Sequence, residues 1–220
     1  MSLYDRAGKR LIDCAVATAA LVVLSPVLLL VALLVAIKLG RPVLFYQERT
    51  GWRRRPFRII KFRSMLDAHD AAGNPLPDDV RLTPFGERLR AWSLDELPSL
   101  WNILMGEMSL VGPRPFMHQY DKLYTDIQAR RFEVRPGITG WAQINGRNAI
   151  SWPEKLAYDV WYVDNRSFRL DARIFFTTVL GVLTRQGINA EGSATMPLWD
   201  GQPDPPLATP AADAPKPEGP

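Results

Sequence analysis

The sequence predicts an α+β fold, mostly helical, made of an N-terminal apolar helix-break-helix, a small β-hairpin and a helical domain. Three observations carry this. From Cys14 to Ile37 every residue is apolar or small except Thr18 and Ser25. Val43 to Phe62 alternates β-branched and aromatic residues with polar ones about a polar turn, the period of two expected of paired strands. Beyond residue 80, helix-start signals and apolar periodicity recur with Gly/Pro-rich loops between them.

The 24-residue run 14–37 is long enough to cross a bilayer as one helix. Ser25-Pro26 at its centre argues for a break, because proline removes a backbone donor and clashes with the preceding turn. Basic residues flank both ends, Arg6, Lys9 and Arg10 before and Lys38 and Arg41 after. Positive residues favour the cytoplasmic side. A re-entrant hairpin with both ends on that side and a kinked spanning helix both satisfy the pattern. The run is long for a signal peptide.

The hairpin strands are VLFYQERTG and FRIIKFRSM, with Arg53, Arg54, Arg55 and Pro56 between them. Residues 67–82 read as a loop, with Gly73-Asn74-Pro75 and Pro77-Asp78-Asp79. Thr83-Pro84 opens a short helix to Trp92, threonine as N-cap and proline at the first helical position. Asp95–Met105 reads as a second helix and Gly106–Pro115 as a loop. Residues 117–132 read as an amphipathic helix, and 135–148 as turns. Pro153–Asn165 and Leu170–Arg185 are further helices. The last carries a broad apolar face (Ile174, Phe175, Phe176, Val179, Leu180, Val182, Leu183), expected to pack in a core rather than on a membrane surface. From about 201 the Pro/Ala/Asp composition predicts a disordered tail. The organisation expected is thus an apolar N-terminal segment over 1–40, a main domain over 41–200 and a tail over 201–220.

Composition narrows the chemistry. One cysteine makes no intrachain disulfide and fits a reducing compartment. With two histidines it is not the donor set of a zinc site. A metal here would be Mg²⁺ on carboxylates and phosphates. The net charge is +4, a modest lean toward anionic partners. A nucleic-acid role is disfavoured by the apolar N-terminus and the lack of an aromatic sequence-reading motif.

The sharpest local feature is Ser93-Leu94-Asp95-Glu96-Leu97-Pro98, two adjacent carboxylates at a helix mouth near Arg88 and Arg90. A carboxylate can attack phosphorus to form an acyl-phosphate, and its neighbour can hold a metal or a proton. The same letters also describe a helix start with surface acids. Gly112-Pro113-Arg114-Pro115 presents one arginine on a rigid loop, suited to phosphate, although a surface turn gives the same letters. Lys61 and Arg63 end the hairpin. Gly137 and Gly140 could admit backbone N–H groups to a phosphate. Phe116, Tyr120 and Tyr124 read as core rather than base-stacking.

Taken in order, KFRSM, SLDELPSLWNILMGEMSLVGPRP and RPGITGWAQINGRNAISW strongly resemble the bacterial sugar transferases that build polyprenyl-diphosphate-linked sugars, the monotopic phosphoglycosyl transferases. The resemblance runs from about Arg6 to Thr195. It implies a re-entrant helix-break-helix anchor with its break at Ser25-Pro26, holding a cytoplasmic helical domain at the cytoplasmic face of the inner membrane. It implies that Asp95 attacks the β-phosphate of a UDP-sugar and that Glu96, beside Asp95, helps bind Mg²⁺. Undecaprenyl phosphate would then take the phosphosugar. Lys61, Arg90 and Arg114 match basic positions suited to phosphate. Arg88 is added on proximity, and Asp159 matches a YDV-type acid as a second metal or substrate contact. A relative that binds lipid or partner enzymes without turnover is the alternative, which the intact Asp95-Glu96 pair disfavours. After EGSAT the chain departs from the family pattern.

Overall fold

The computed structural model describes residues 4–146, 150–184, 199 and 201. The expected tail therefore lies outside the described residues, apart from Gly201. The N-terminal apolar run forms two helices, α1 (Lys9–Val23) and α2 (Ser25–Lys38), bent by 63°. The break falls at Leu24, and Pro26 occupies the first turn of α2, where its missing N–H is not needed. Ser25 Oγ donates to Val22 O at 2.8 Å across the bend. At 1.5 Å per residue each leg is about 22 Å long, short of a hydrocarbon core of about 30 Å. No single described helix is long and apolar enough to cross a membrane, though the bent pair passes that test jointly.

The pair is held to the rest of the chain by its polar residues. Arg10 donates to the carbonyls of Ile103 and Leu104. Asp13, 3% exposed, accepts from Leu110 N at 3.0 Å. Lys9 pairs with Asp171, which also accepts from Tyr162 Oη at 2.7 Å.

The expected hairpin is present. β1 (Leu44–Thr50) pairs antiparallel with β2 (Pro56–Phe62) in the register Phe45↔Lys61, Gln47↔Ile59, Arg49↔Phe57. That register puts Arg49, Ile59 and Lys61 on one face. A single turn, α3 (Asp78–Arg81), lies in the expected loop. α4 (Pro84–Ala91) starts as anticipated, with Thr83 Oγ1 accepting from Gly86 N at 3.1 Å.

Three expectations change. Asp95–Met105 is split into a 3₁₀ segment, Leu94–Ser99, which contains Pro98, and α5 (Leu100–Met105). Gly106–Pro115 is not all loop. It holds β3 (Ser109–Val111), parallel to a strand inside the expected turn region. The 117–132 helix is broken into a 3₁₀ turn His118–Lys122, α6 (Asp126–Ala129) and a 3₁₀ turn Arg130–Glu133. Thr125 and Gln128 form a capping box that restarts the helix. Asp121 is meanwhile drawn to Thr50 Oγ1, at 2.7 Å. The chain continues with β4 (Gly137–Thr139), α7 (Trp141–Ile144), α8 (Trp152–Asn165) and α9 (Phe168–Leu183).

The main core joins Ala17 of α1, Phe57 and Ile59 of β2, Ile103, Met108 and Tyr162. Tyr120, Leu156 and Trp199 form another, flanked by Phe116 and Tyr124, so these aromatics pack in a core as read from the sequence. The core assignment of the α9 face needs correction. Ile174 is buried, but Phe176, Leu180 and Leu183 are 64%, 61% and 64% exposed. Spaced by four and three residues, they form one uncovered apolar stripe.

Candidate active site

The open edge of β2 positions the acidic pair. Ser99 Oγ donates to Ile60 O at 2.7 Å, and Asn102 accepts from Ile60 N at 3.0 Å and donates to Arg58 O at 2.8 Å. Two buried polar side chains thus complete the strand's hydrogen bonds and fix the 3₁₀ segment against the hairpin. Asp95 lies two residues after Ser93, whose φ of 52° is a left-handed conformation unusual for a residue with a Cβ. Such strain persists where the surroundings over-determine it, often at working sites.

Glu96 is gripped from two sides. Lys61 Nζ lies 2.6 Å and Arg114 Nη2 2.5 Å from Glu96 Oε1. Burial acts to raise the Glu96 carboxyl, but Arg114 and Lys61 overcome it and hold the group well below the usual carboxylate range. Asp95, 8% exposed, behaves in the opposite way. Burial, then the negative charge of Glu96, pushes its carboxyl up to about 6, against the attraction of Lys61, Arg90 and Arg114. Neighbouring carboxylates whose affinities for protons are driven apart are the arrangement that lets one stay anionic while the other exchanges a proton near neutral pH.

A small cavity of about 60 Å³ opens beside this pair, lined by Arg49, Lys61, Glu96, Ser99, Arg114 and Phe116 among others. Arg114 is delivered to it by β3 and β4. Gly112 N donates to Thr139 O at 2.9 Å and Gly137 N to Pro113 O at 3.0 Å. A Cβ at Gly137 would lie 2.1 Å from Gly112 N, and one at Gly140 2.2 Å from Gly112 O. These glycines let two backbones touch. The Gly137 N–H is spent on Pro113 and is not offered to a phosphate.

The structure brings Lys61, Asp95, Glu96 and Arg114 together, with Lys61, Glu96 and Arg114 facing the cavity. Arg90 is half-buried, donates to Ser64 Oγ at 2.9 Å and is felt electrostatically at Asp95, but does not line the cavity. Arg88 is exposed on α4, away from it. Asp159 is not brought there either. It is 1% exposed, and Arg131 Nη2 and Nε donate to it at 2.7 and 3.1 Å. Arg131 Nη2 also donates to Arg114 O at 2.5 Å, so this ion pair supports the Arg114 loop from behind. The cavity residue that sequence reasoning missed is Arg49. Its signal was the period of two, which puts it on the hairpin face of Lys61.

Among the described residues no group of three or more acidic, histidine or cysteine side chains gathers as a metal cage. A Mg²⁺ in a phosphoryl-transfer site needs only one or two carboxylates, its other ligands being phosphates and water. The Asp95–Glu96 pair fits that donor set. Glu96 Oε2 makes one long contact, 3.4 Å to Arg114 Nη1, and keeps lone pairs for a cation.

Comparison with known proteins places the chain in a family. The model of the bacterial sugar transferase family matches residues 4–185. The uncharacterized sugar transferase EpsL of Bacillus subtilis is 52% identical over 196 residues, covering 89% of this chain and 97% of EpsL. The exopolysaccharide production protein ExoY of Rhizobium meliloti is 37% identical, covering 82% and 87% respectively. The UDP-glucose:undecaprenyl-phosphate glucose-1-phosphate transferase of Klebsiella pneumoniae is 40% identical over 78% of this chain, which spans 39% of that longer protein. The chain is a transferase, a member of the bacterial sugar transferase family.

Proposed function

We propose that this protein is a phosphoglycosyl transferase that moves a sugar phosphate from a UDP-sugar to undecaprenyl phosphate, in the service of exopolysaccharide synthesis. The observation that carries the reading is the buried Asp95 carboxylate beside a Glu96 clamped by Lys61 and Arg114. The names of the Klebsiella, Xanthomonas and Escherichia coli relatives, each a UDP-glucose:undecaprenyl-phosphate glucose-1-phosphate transferase, support the substrate classes.

In the first step an Asp95 oxygen attacks the β-phosphorus. The bond to the bridging oxygen breaks and UMP leaves with that oxygen, giving a phosphosugar ester on Asp95. In the second, a phosphate oxygen of the lipid attacks the same phosphorus, Asp95 leaves as carboxylate, and a lipid diphosphate-sugar results. Arg114 and Lys61 offset charge on the transferring group, which is where positioned cations lower the barrier in phosphoryl transfer. A Mg²⁺ held by Glu96 and Asp95 would neutralise diphosphate charge when bound.

The bent apolar pair α1–α2 and the uncovered stripe on α9 support a re-entrant anchor with the site at the cytoplasmic face of the inner membrane. A membrane-surface site lets a soluble donor and an insoluble acceptor meet. In this reading 1–40 is the anchor, with Ala17 of α1 also packed into the main core, and 41–200 is the catalytic part. The test is turnover of purified protein with a panel of UDP-sugars, undecaprenyl phosphate and Mg²⁺. Continued turnover beyond one equivalent of UMP per protein is expected only when the lipid is present. No turnover with any donor would favour a relative that binds lipid or partner enzymes without chemistry.

A further inference from the structure

The cavity holds three cations, Arg49, Lys61 and Arg114, against one carboxylate, Glu96. Lys61 and Arg114 both spend their contacts on Glu96. Arg49 is left over. Its Nε is sealed from solvent and meets no acceptor among the described residues. The hydrogen bond its guanidinium makes there goes to the neutral Gln47 Oε1. Arg63 and Arg81 also have a sealed Nε without an acceptor among the described residues, but Arg81 pairs with Asp78, and the other enclosed arginines are better served at their remaining nitrogens. Arg131 has Asp159, and Arg63 and Arg10 reach carbonyls at the C-terminal ends of α2 and α5, where the helix dipole favours a cation. Arg49 instead faces the like charge of Arg114. Burial, then Arg114, pushes its guanidinium down to about 10 despite the pull of Glu96.

The fold also fixes this arginine in place. The next residue, Thr50, is 2% exposed, donates from Oγ1 to Asp121 at 2.7 Å and from its backbone N to Phe116 O at 3.2 Å. On the other side Gln47 holds one end of the guanidinium. An enclosed cation kept rigid with no ion-pair partner of its own among the described residues disfavours the empty state and becomes satisfied when an anion arrives. A guanidinium offers a fork that matches two oxygens of a phosphate.

We infer that Arg49 is a substrate-binding residue that grips a phosphate oxyanion inside this cavity, completing a three-cation cradle with Arg114 and Lys61. The inference rests on the phosphosugar-transfer reading for its substrates. Both the nucleotide diphosphate of the donor and the phosphate of the lipid have the required chemistry.

Wild type and two variants, Arg49→Gln and Arg49→Lys, decide it. UDP and inorganic pyrophosphate are titrated calorimetrically, kcat/KM is measured separately for donor and acceptor, and unfolding midpoints are taken without ligand. Arg49→Gln is expected to lose roughly tenfold to a hundredfold in one kcat/KM, the range for a hydrogen bond to a charged group. Loss confined to the donor, with weaker UDP and pyrophosphate binding, identifies the diphosphate. Loss confined to the acceptor identifies the lipid phosphate. The ligand-free midpoint of Arg49→Gln is expected to hold or rise, because an unmatched cation has gone. If it falls together with activity, Arg49→Lys decides: activity above that of Arg49→Gln, though short of wild type because lysine lacks the fork, upholds the inference, and activity no better than Arg49→Gln overturns it. Unchanged values of both kcat/KM and unchanged UDP binding overturn it outright. A wild type that binds UDP more tightly than Arg49→Gln but turns nothing over would sink the transfer reading and leave the anion site standing.

Discussion

The structure gives Asp159 a job that can be tested against the sequence-based expectation of a substrate or metal contact. Asp159 and Arg131 are 1% and 2% exposed and joined by two hydrogen bonds. In Asp159→Ala, Arg131 stays buried with no counter-charge, a change that typically costs about 3–5 kcal/mol. Some of this is offset, since Arg131 still lies 4.2 Å over the Phe116 ring and still donates to Arg114 O. The lower end, about 3 kcal/mol, is therefore expected. At about 2–4 °C per kcal/mol for a domain of this size, the unfolding midpoint falls by about 6–12 °C. The assay is thermal unfolding by circular dichroism in detergent at a fixed scan rate. The paired change Arg131→Met with Asp159→Leu removes both charges and should recover most of the lost stability, while activity falls because Arg114 O has lost its donor. A midpoint for Asp159→Ala within 1–2 °C of wild type, about the shift of half a kcal/mol, together with abolished turnover, would refute the buttress reading.

Further outcomes follow from the same geometry. Because burial and Glu96 raise the Asp95 carboxyl to about 6, kcat/KM for the donor should fall as pH drops below about 6, tenfold per unit; a flat profile from pH 5 to 8 would contradict this. The sign for stability is opposite: a carboxyl that binds its proton more tightly in the fold than in the unfolded chain destabilises the fold above pH 6, so Asp95→Asn should raise the unfolding midpoint at pH 8 while abolishing turnover. Gly137→Ala places a Cβ 2.1 Å from Gly112 N, so the Arg114 loop must shift, and both the midpoint and activity should drop sharply. Phe176→Glu with Leu180→Glu charges the uncovered stripe of α9 and should lower activity toward vesicle-embedded undecaprenyl phosphate while sparing UMP release in the first step; equal activity in vesicles would show that the stripe does not meet lipid.

Local chemistry was legible and long-range pairing was not. The hairpin showed in its alternation, α4 in Thr83-Pro84 and α8 in its apolar period, each a signal within a few residues. The parallel β3–β4 pair has three residues per strand and joins segments 28 residues apart, too short to alternate and too distant to suggest itself. The 117–132 stretch has helical periodicity, yet Tyr120 and Tyr124 turn to Trp199 and Asp121 to Thr50, and these contacts break the helix. At the site, Asp95-Glu96 and Gly-Pro-Arg-Pro are each weak signals alone, and stood out because they occur in order with KFRSM and the RPGITG block. The Arg131 partner of Asp159 was not legible because it lies 28 residues away. Arg49 was passed over because a single arginine in a strand has no meaning until the register sets it beside Lys61.

The central claim is that Asp95 carries the phosphosugar, and intact-protein mass spectrometry tests it most directly. The protein is incubated with its UDP-sugar and Mg²⁺ in the absence of lipid acceptor, then digested to map any adduct. The account predicts one equivalent of UMP, a mass gain of one phosphosugar on the peptide containing Asp95, its loss on adding undecaprenyl phosphate, and no adduct in Asp95→Asn. UMP release only when lipid is present, with no adduct at any time, or an adduct that persists in Asp95→Asn, would contradict it.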